Sequence, residues 1–389
     1  MAVKAIDLFS GCGGVSCGLT QAGFAVKAAV EIDRDAVDVY LAYPPLADVR
    51  VLNTDICTVT GQEILKSARI KKDELYLLAG CPPCQNFSMQ NPKNKDKPEE
   101  ERKKLLFEYL RIIEEIYPPF ILMENVPGIS TVTNQGILGE FLERLENENG
   151  KDEEKYLVHF GILNAANYGV PQLRRRFVLH GIRMDIYNEL QQYGAEFQLP
   201  QETHNALGTN NLQPWVTVKT AIGDLPEIAA GETYVANPEI HNHKCANLNE
   251  NNLIKIRYIR EHGGSRNCLP DDMILDCHKK KKNGKKFEGH QDVYGIMNPD
   301  RPSPTITGGC LCYSKGRYGH YAQDRAISIR EAARLQTFPD DFIFSNSLTK
   351  AALQIGNAVP VKLVEVSARE FLRIINILKK NRRKSKKKE

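Results

Sequence analysis

Nowhere in the 389 residues does an apolar run approach the 18 or more that a membrane-spanning helix requires. The opening MAVKAIDLF leads directly into strand-like sequence, without the charged and apolar regions of a signal peptide. A second C-x-x-C to partner Cys81 and Cys84 is missing, which argues against a four-cysteine structural zinc site. The scattered His241, His243, Cys245, Cys268, Cys277 and His278 match no standard metal spacing, so no metal is expected. The ten cysteines are irregularly placed and read as free thiols in a reducing cytosol. G-x-G-x-x-G is also absent, which disfavours a pyrophosphate-bearing dinucleotide as ligand. Net positive charge is missing over most of the chain. Residues 379–389 contribute +7 to a net charge of +4, so the other 378 residues sum to −3.

What the chain does contain begins with length and apolar content. At 389 residues and 42% hydrophobic composition, it suits two domains, or one large domain carrying an insertion. Residues 3–9 read as a buried strand. SGCGG (10–14) makes a tight glycine turn, a helical segment runs to Gly23, and an apolar run at 24–30 stops at Glu31. Strand, glycine turn, helix, strand and terminal acid is the layout of a nucleotide-binding βαβ unit. Its glycines admit a ligand close to the backbone, and its acid accepts hydrogen bonds from ribose hydroxyls. Without the dinucleotide fingerprint, a mononucleoside-like ligand fits better. Asp55 is a second acid placed just after a strand, near 49–52.

A helix at 61–68 and a strand at 75–79 lead to GCPPCQNFS (80–88). Pro82 and Pro83 stiffen the approach to Cys84, and open α/β sheets keep their chemistry at this end of their strands. Cys84 is therefore a candidate nucleophile, beside the alternatives of a redox pair with Cys81 and an inert thiol. Leu105, Leu106, Tyr109, Leu110, Ile113, Ile116 and Tyr117 keep helical spacing before Pro118. FILM (120–123) then delivers Glu124, an acid at the end of a buried strand, partly desolvated and suited to proton donation. Strands at 156–163 and 177–182 flank PQLRRRF, where Arg174 and Arg176 share one face of an extended segment. A solvated charge run is the ordinary account of such a cluster. Two arginines beside buried carboxylates or phosphates is the sharper one.

From 184 to about 325 the periodicities weaken, and Asn, Gly and Lys are abundant. This stretch reads as a smaller domain of loops and short strands. Six lysines crowd KKKKNGKK (279–286), a patch suited to a polyanion. An amphipathic helix at 327–337 follows, then QIGNAVP (354–360) and a final helix to about 378, expected to dock back on the first domain. The basic tail at 379–389 is either solvated or polyanion-binding. The organisation expected is 1–183, 184–325, 326–378 returning to the first domain, and the tail.

Six of these stretches, in this order, resemble the DNA cytosine-5 methyltransferases of bacterial type: DLFSGCGG (7–14), PPCQNFS (82–88), ENV (124–126), QLRRR (172–176), REAARLQTFPDDF (330–342) and QIGNAVP (354–360). The resemblance covers almost the whole chain. It implies a doubly wound, Rossmann-like α/β methyltransferase core with an inserted target-recognition domain. S-adenosylmethionine would be the methyl donor and S-adenosylhomocysteine the product. Phe9, Ser10, Gly11, Gly14, Glu31, Ile32, Asp55, Pro83, Leu106 and Asn357 would line the cofactor site. Cys84, Glu124, Arg174 and Arg176 would carry the chemistry on a cytosine flipped out of double-stranded DNA. Ser88 would lie in the loop that closes over that DNA, and composition alone assigns Lys279, Lys280, Lys281 and Lys282 to its phosphates. A monomeric cytoplasmic enzyme, nucleoid-associated in a prokaryote, is the corresponding expectation. The competitors are an RNA cytosine methyltransferase, a DNA-binding protein with a silent core, and a nicotinamide-dependent oxidoreductase.

Overall fold

The computed structural model describes residues 2–83, 99–131, 135–148, 151–275, 281–282, 285–286 and 292–385. It comprises two units. The first holds residues 1–168, 175–203 and 359–389, and the second holds 169–174 and 204–358.

The first unit is built on a seven-stranded sheet. Its strands in chain order are β1 (Val3–Leu8), β2 (Phe24–Glu31), β3 (Arg50–Asn53), β4 (Leu75–Gly80), β5 (Phe120–Asn125), β6 (Tyr156–Asn164) and β7 (Arg175–Arg183). In space the order is β3-β2-β1-β4-β5-β7-β6. The first five strands run parallel, while β7 is antiparallel to both β5 and β6. Strands β1, β4 and β5 are almost continuously buried, as parallel strands covered on both faces are.

Helices α1 (Gly14–Ala22), α2 (Arg34–Ala42), α3 (Gly61–Ala68), α4 (Glu99–Ile116), α5 (Gln135–Glu146) and α6 (Met184–Gln191) connect these strands or follow them. The buried face of α4 is made by Leu106, Tyr109, Leu110, Ile113 and Ile116, the spacing visible in the sequence. Tyr109 donates its hydroxyl to the carbonyls of Leu78 and Leu122, so one side chain ties β4 to β5. A Cβ at Gly80 would lie 2.4 Å from that ring, which is why β4 ends on a glycine.

Among the described residues, the second unit carries α7 (Val218–Ile222), α8 (Glu250–Glu261), α9 (Ile329–Leu335) and α10 (Leu348–Asn357). The last helix of the chain, α11 (Val361–Ser385), belongs to the first unit and packs on α1. A Cβ at Gly18 would come 2.6 Å from both the Val361 carbonyl and the Val364 Cβ, so close approach of α1 and α11 depends on that glycine. The sequence places the end of α11 near 378, yet the helix continues to Ser385. Residues 379–385 contain no Pro or Gly and are mostly Lys and Arg, which are good helix formers. Arg382 is also anchored by Glu189 on α6, Nε to Oε1 2.7 Å.

The second unit has a small core of Leu248, Ile256, Ile259, Ile296, Tyr313 and Ala326. Its named strands among the described residues are two-residue pairs, His204–Asn205 with Gln213–Pro214 and Lys281–Lys282 with Lys285–Lys286. A charged network supplements this core. Buried Arg325 donates to both carboxylate oxygens of Glu331 at 2.7 and 2.6 Å, and Ser328 and Glu331 form the capping box of α9. The helix expected over 327–337 is shortened by that cap at its start and by the left-handed Thr337 (φ +61°) at its end.

Candidate active site

The glycine turn begins with strain. Phe9, the residue after β1, has φ +57°, a conformation in which an L side chain is unfavourable by about 1–2 kcal/mol. Gly11 (φ +54°) and Gly13 (φ +101°) continue the left-handed path, and Ser10 N–H donates to the Val30 carbonyl at 3.1 Å. Glu31, at the end of β2, closes the structure. Its Oε2 accepts from the Gly11 amide at 2.8 Å and its Oε1 from the Asp33 amide at 2.8 Å. Asn53, at the end of β3, donates to the carbonyls of Glu31 (2.9 Å) and Ile32 (3.0 Å), fixing the loop that presents both. Asp55 accepts from the Cys57 amide at 3.0 Å, and that hydrogen bond holds its carboxyl below the usual range.

Beneath the turn lies a chain of polar groups that the motif alone does not announce. Tyr40 on α2 donates to the Ser16 hydroxyl (2.7 Å), and Ser16 on α1 donates to Asp7 Oδ2 (2.6 Å). All three are buried, and Asp7 Oδ1 has no partner among the described residues. Burial pushes the Asp7 carboxyl up to about 7, against the hydrogen bonds from Ser16. The Tyr40 ring also abuts Gly13, where a Cβ would meet it at 2.9 Å. Asp7, Ser16, Tyr40 and Asn53 are thus supporting residues that the spacing of acids and glycines does not reveal. A conformational demand on one turn residue leaves no mark on a side chain two elements away.

The local groups suit a nucleoside-type donor. Buried Ser10 Oγ has no hydrogen-bond partner among the described residues, and a Cβ at Gly11 would meet nothing within 4 Å. Ile32 leaves 67% of its surface open, an apolar platform beside a carboxylate. Gly14 is buried as the first residue of α1. Leu106 lies within the core against α4's neighbours, with 1% of its surface accessible. Pro83 is exposed at the end of its described segment. Asn357 is the exposed last residue of α10, in the second unit.

At the carboxyl end of β5, Glu124 meets Arg176, Nε to Oε1 2.9 Å, with 11% and 14% of their side chains exposed. The antiparallel register explains the meeting, because Glu124 pairs with Val178 and Asn125 with Phe177 at the start of β7. Buried Asn125 donates to the Pro82 carbonyl at 3.3 Å, securing the segment that leads to Cys84. Cys84 and Ser88 themselves lie outside the described residues, as do Lys279 and Lys280. Lys281 and Lys282 fall in one of the two-residue strands of the second unit.

Arg174 behaves differently from Arg176. It is buried in the second unit and donates to the carbonyls of Ile306 (2.8 Å), Gly356 (3.2 Å) and Ala358 (2.9 Å). Its neighbour Gln172 accepts from the Ile306 amide and donates to the Leu335 carbonyl and to Gln336. Arg174 and Gln172 therefore hold together backbone segments that lie more than 130 residues away in sequence. The extended segment shared by the two arginines does not make their tasks alike.

A mostly parallel sheet with a glycine turn after its first strand, an acid ending its second and an ion-paired carboxylate ending its fifth define a Rossmann-like methyltransferase. The chain belongs to the C-5 cytosine-specific DNA methylase family, whose model matches residues 3–373. It is accordingly a DNA cytosine-5 methyltransferase. Type II methylase M.HgiDII of Herpetosiphon aurantiacus is 34% identical over 382 residues, covering 97% of each chain. Type II methyltransferase M1.HphI of Haemophilus parahaemolyticus is 33% identical, over 96% of this chain and 88% of its own. Among solved structures, Dnmt2 methyltransferase of S. pombe superposes with a TM-score of 0.56 at 18% identity, over 97% of this chain and 100% of that one, a likeness of fold. No described helix is long and apolar enough to cross a membrane.

Proposed function

We propose that the enzyme methylates carbon 5 of a cytosine extruded from a specific double-stranded DNA sequence, through a covalent adduct between Cys84 and the base. The observation that carries this reading is the Glu124–Arg176 pair at the carboxyl end of β5, beside the strand end from which Cys84 follows by four residues. Carbon 5 of cytosine is a poor nucleophile. Attack of a Cys84 thiolate on carbon 6 makes carbon 5 enamine-like and divides one difficult step into two easier ones. As electrons move onto the ring, Glu124 delivers a proton to nitrogen 3, and Arg176 balances the charge left on the carboxylate. A nearby cation also favours the thiolate over the thiol. Once carbon 5 carries the methyl group, its proton passes to water, the electron pair of that bond expels the Cys84 thiolate, and nitrogen 3 returns its proton to Glu124, which restores the ring.

S-adenosylmethionine, when bound, supplies the methyl group and leaves as S-adenosylhomocysteine. The orphaned Ser10 hydroxyl, the open Gly11 and the exposed Ile32 fit it. Phe9, Ser10, Gly11 and Gly14 would border it, Glu31 would hold its ribose hydroxyls, and Ile32 and Asp55 would flank its adenine. Pro83, Leu106 and Asn357 would complete the site. Arg174 acts as a positioning residue, through the carbonyls it holds.

The base must leave the duplex to reach these groups, which costs a few kcal/mol. Bases around it are read by the second unit, with Ser88 and the lysines at 279–282 serving the DNA. The relatives named above are type II methylases, which supports a role as the modification partner of a restriction system or as a solitary methylase. Duplex DNA carrying 5-fluorocytosine at the methylated position, incubated with the methyl donor, should become joined to Cys84. Methylation by Cys84→Ala at the normal rate, or absence of the adduct at an established site, would end this assignment.

A further inference from the structure

At the opposite end of the sheet from Glu124, the first unit carries a groove enclosing about 500 Å³ that the chemistry does not use. It lies where β4 and β5 begin and β7 ends, and its wall includes Lys72, Tyr76, Phe120, Arg183, Lys379 and Arg382. Its two arginines are already satisfied, Arg183 by Asp185 (2.6 and 2.8 Å) and Arg382 by Glu189. Lys379 lies 4.6 Å from the centre of the Tyr76 ring, and Lys72 Nζ donates to the Glu115 carbonyl. Neither lysine contacts a carboxylate there.

The same end of α11 adds Lys380, Arg383 and Lys384, all exposed and without a carboxylate partner among the described residues. Their i, i+3, i+4 spacing puts them on one helix face. Within the wall, Lys72 and Lys379 thus face only Asp73 among acids not held by an arginine, and Lys380, Arg383 and Lys384 add three cations on the adjoining face of the same helix end. Cations are favoured at any helix C-terminus by the dipole, but the dipole gives no reason for Lys72 to converge from a separate turn.

We propose that this groove and the basic end of α11 hold the phosphate backbone of duplex DNA away from the target base. The inference rests on the DNA-methylating reading above. Phe120 lines the groove, and Glu124 stands four residues along the same strand, about 13 Å further on. From its first residue to its last, α11 spans about 36 Å, the rise of roughly ten base pairs. DNA engaged here is therefore a segment other than the one presenting its cytosine at the carboxyl end of β5. Such an attachment raises the local concentration of duplex and leaves the chemical step alone.

The test compares the full chain with the triple variant Lys380→Gln, Arg383→Gln, Lys384→Gln. Binding of a random-sequence 40-base-pair duplex is followed by fluorescence anisotropy across 50–200 mM salt. The variant should bind about 10-fold more weakly, and the slope of log affinity against log salt should shrink by about 2–3, at roughly 0.9 for each phosphate that is no longer neutralised. KM for plasmid DNA should rise while kcat at saturating plasmid stays the same. Lys380→Gln alone should give about a third of the slope change, which guards against a folding defect in the triple variant. Unchanged affinity and slope would overturn the proposal, as would weakened binding of heparin or RNA with duplex DNA unaffected. A fall in kcat would overturn it too, because the surface would then belong to the catalytic DNA path. If the unaltered enzyme methylates no DNA, the reading of its function has failed, not this one.

Discussion

Asp7 gives the sharpest test of the electrostatics beneath the glycine turn. Its carboxyl is fully buried, accepts the Ser16 hydroxyl through Oδ2, and leaves Oδ1 without a partner among the described residues. Burial moves it from the ordinary 3.8 to about 7 in the folded chain. A folded-state value above the unfolded one means that the folded chain holds the proton more tightly. The resulting stability is fully present below about pH 4, declines through the interval, and is lost once the pH passes about 7. At 1.36 kcal/mol per tenfold change in proton affinity, the whole interval is worth about 4 kcal/mol.

Asp7→Asn keeps an acceptor for Ser16 and removes the titration. Relative to the parent enzyme, the variant should therefore gain about 3 kcal/mol between pH 4.5 and pH 7.5. Chemical denaturation at four pH values across that range measures it. Comparing the two proteins at each pH cancels the buried histidines. Burial lowers His180 to about 3 and His320 to about 4, so their contribution runs the other way, present above about 6.5 and lost on acidification. A difference between variant and parent that does not change with pH would refute the claim that Asp7 is held protonated.

Three further outcomes follow from the geometry. If Glu124 donates the proton as proposed, Glu124→Gln should lower methyl transfer by about 10²–10⁴-fold, read from tritium incorporation into DNA, with the thermal melt close to the parent's. Gly80→Ala places a methyl 2.4 Å from the Tyr109 ring, and denaturation should show a loss of about 1–3 kcal/mol. Glu331→Ala leaves the buried Arg325 guanidinium without its carboxylate and should cost about 3–5 kcal/mol, whereas replacing both residues by apolar side chains should restore part of that.

Much of the carboxyl end of the sheet could be read from the chain because its marked residues sit at strand ends. A glycine turn after β1, Glu31 ending β2 and Glu124 ending β5 are each marked by an apolar run that stops at an acid or a glycine, a pattern local to a few residues. The helical face of α4 is equally local. The two arginines are not distinguishable in this way. Arg174 and Arg176 stand two residues apart, yet one serves carbonyls at Ile306, Gly356 and Ala358 and the other serves Glu124. Which partner each finds depends on the antiparallel register of β5 with β7 and on loops distant in the sequence. The Asp7–Ser16–Tyr40 chain, Asn125 on the Pro82 carbonyl and the basic groove at the far end of the sheet likewise exist only because separate elements converge. The sequence by itself determined the family, the order of the strands along the chain and the acids that end them, since those follow from periodicity and local turn chemistry. The tertiary structure alone decided which charges meet and which are buried, because desolvation and ion pairing depend on distances that no local pattern encodes.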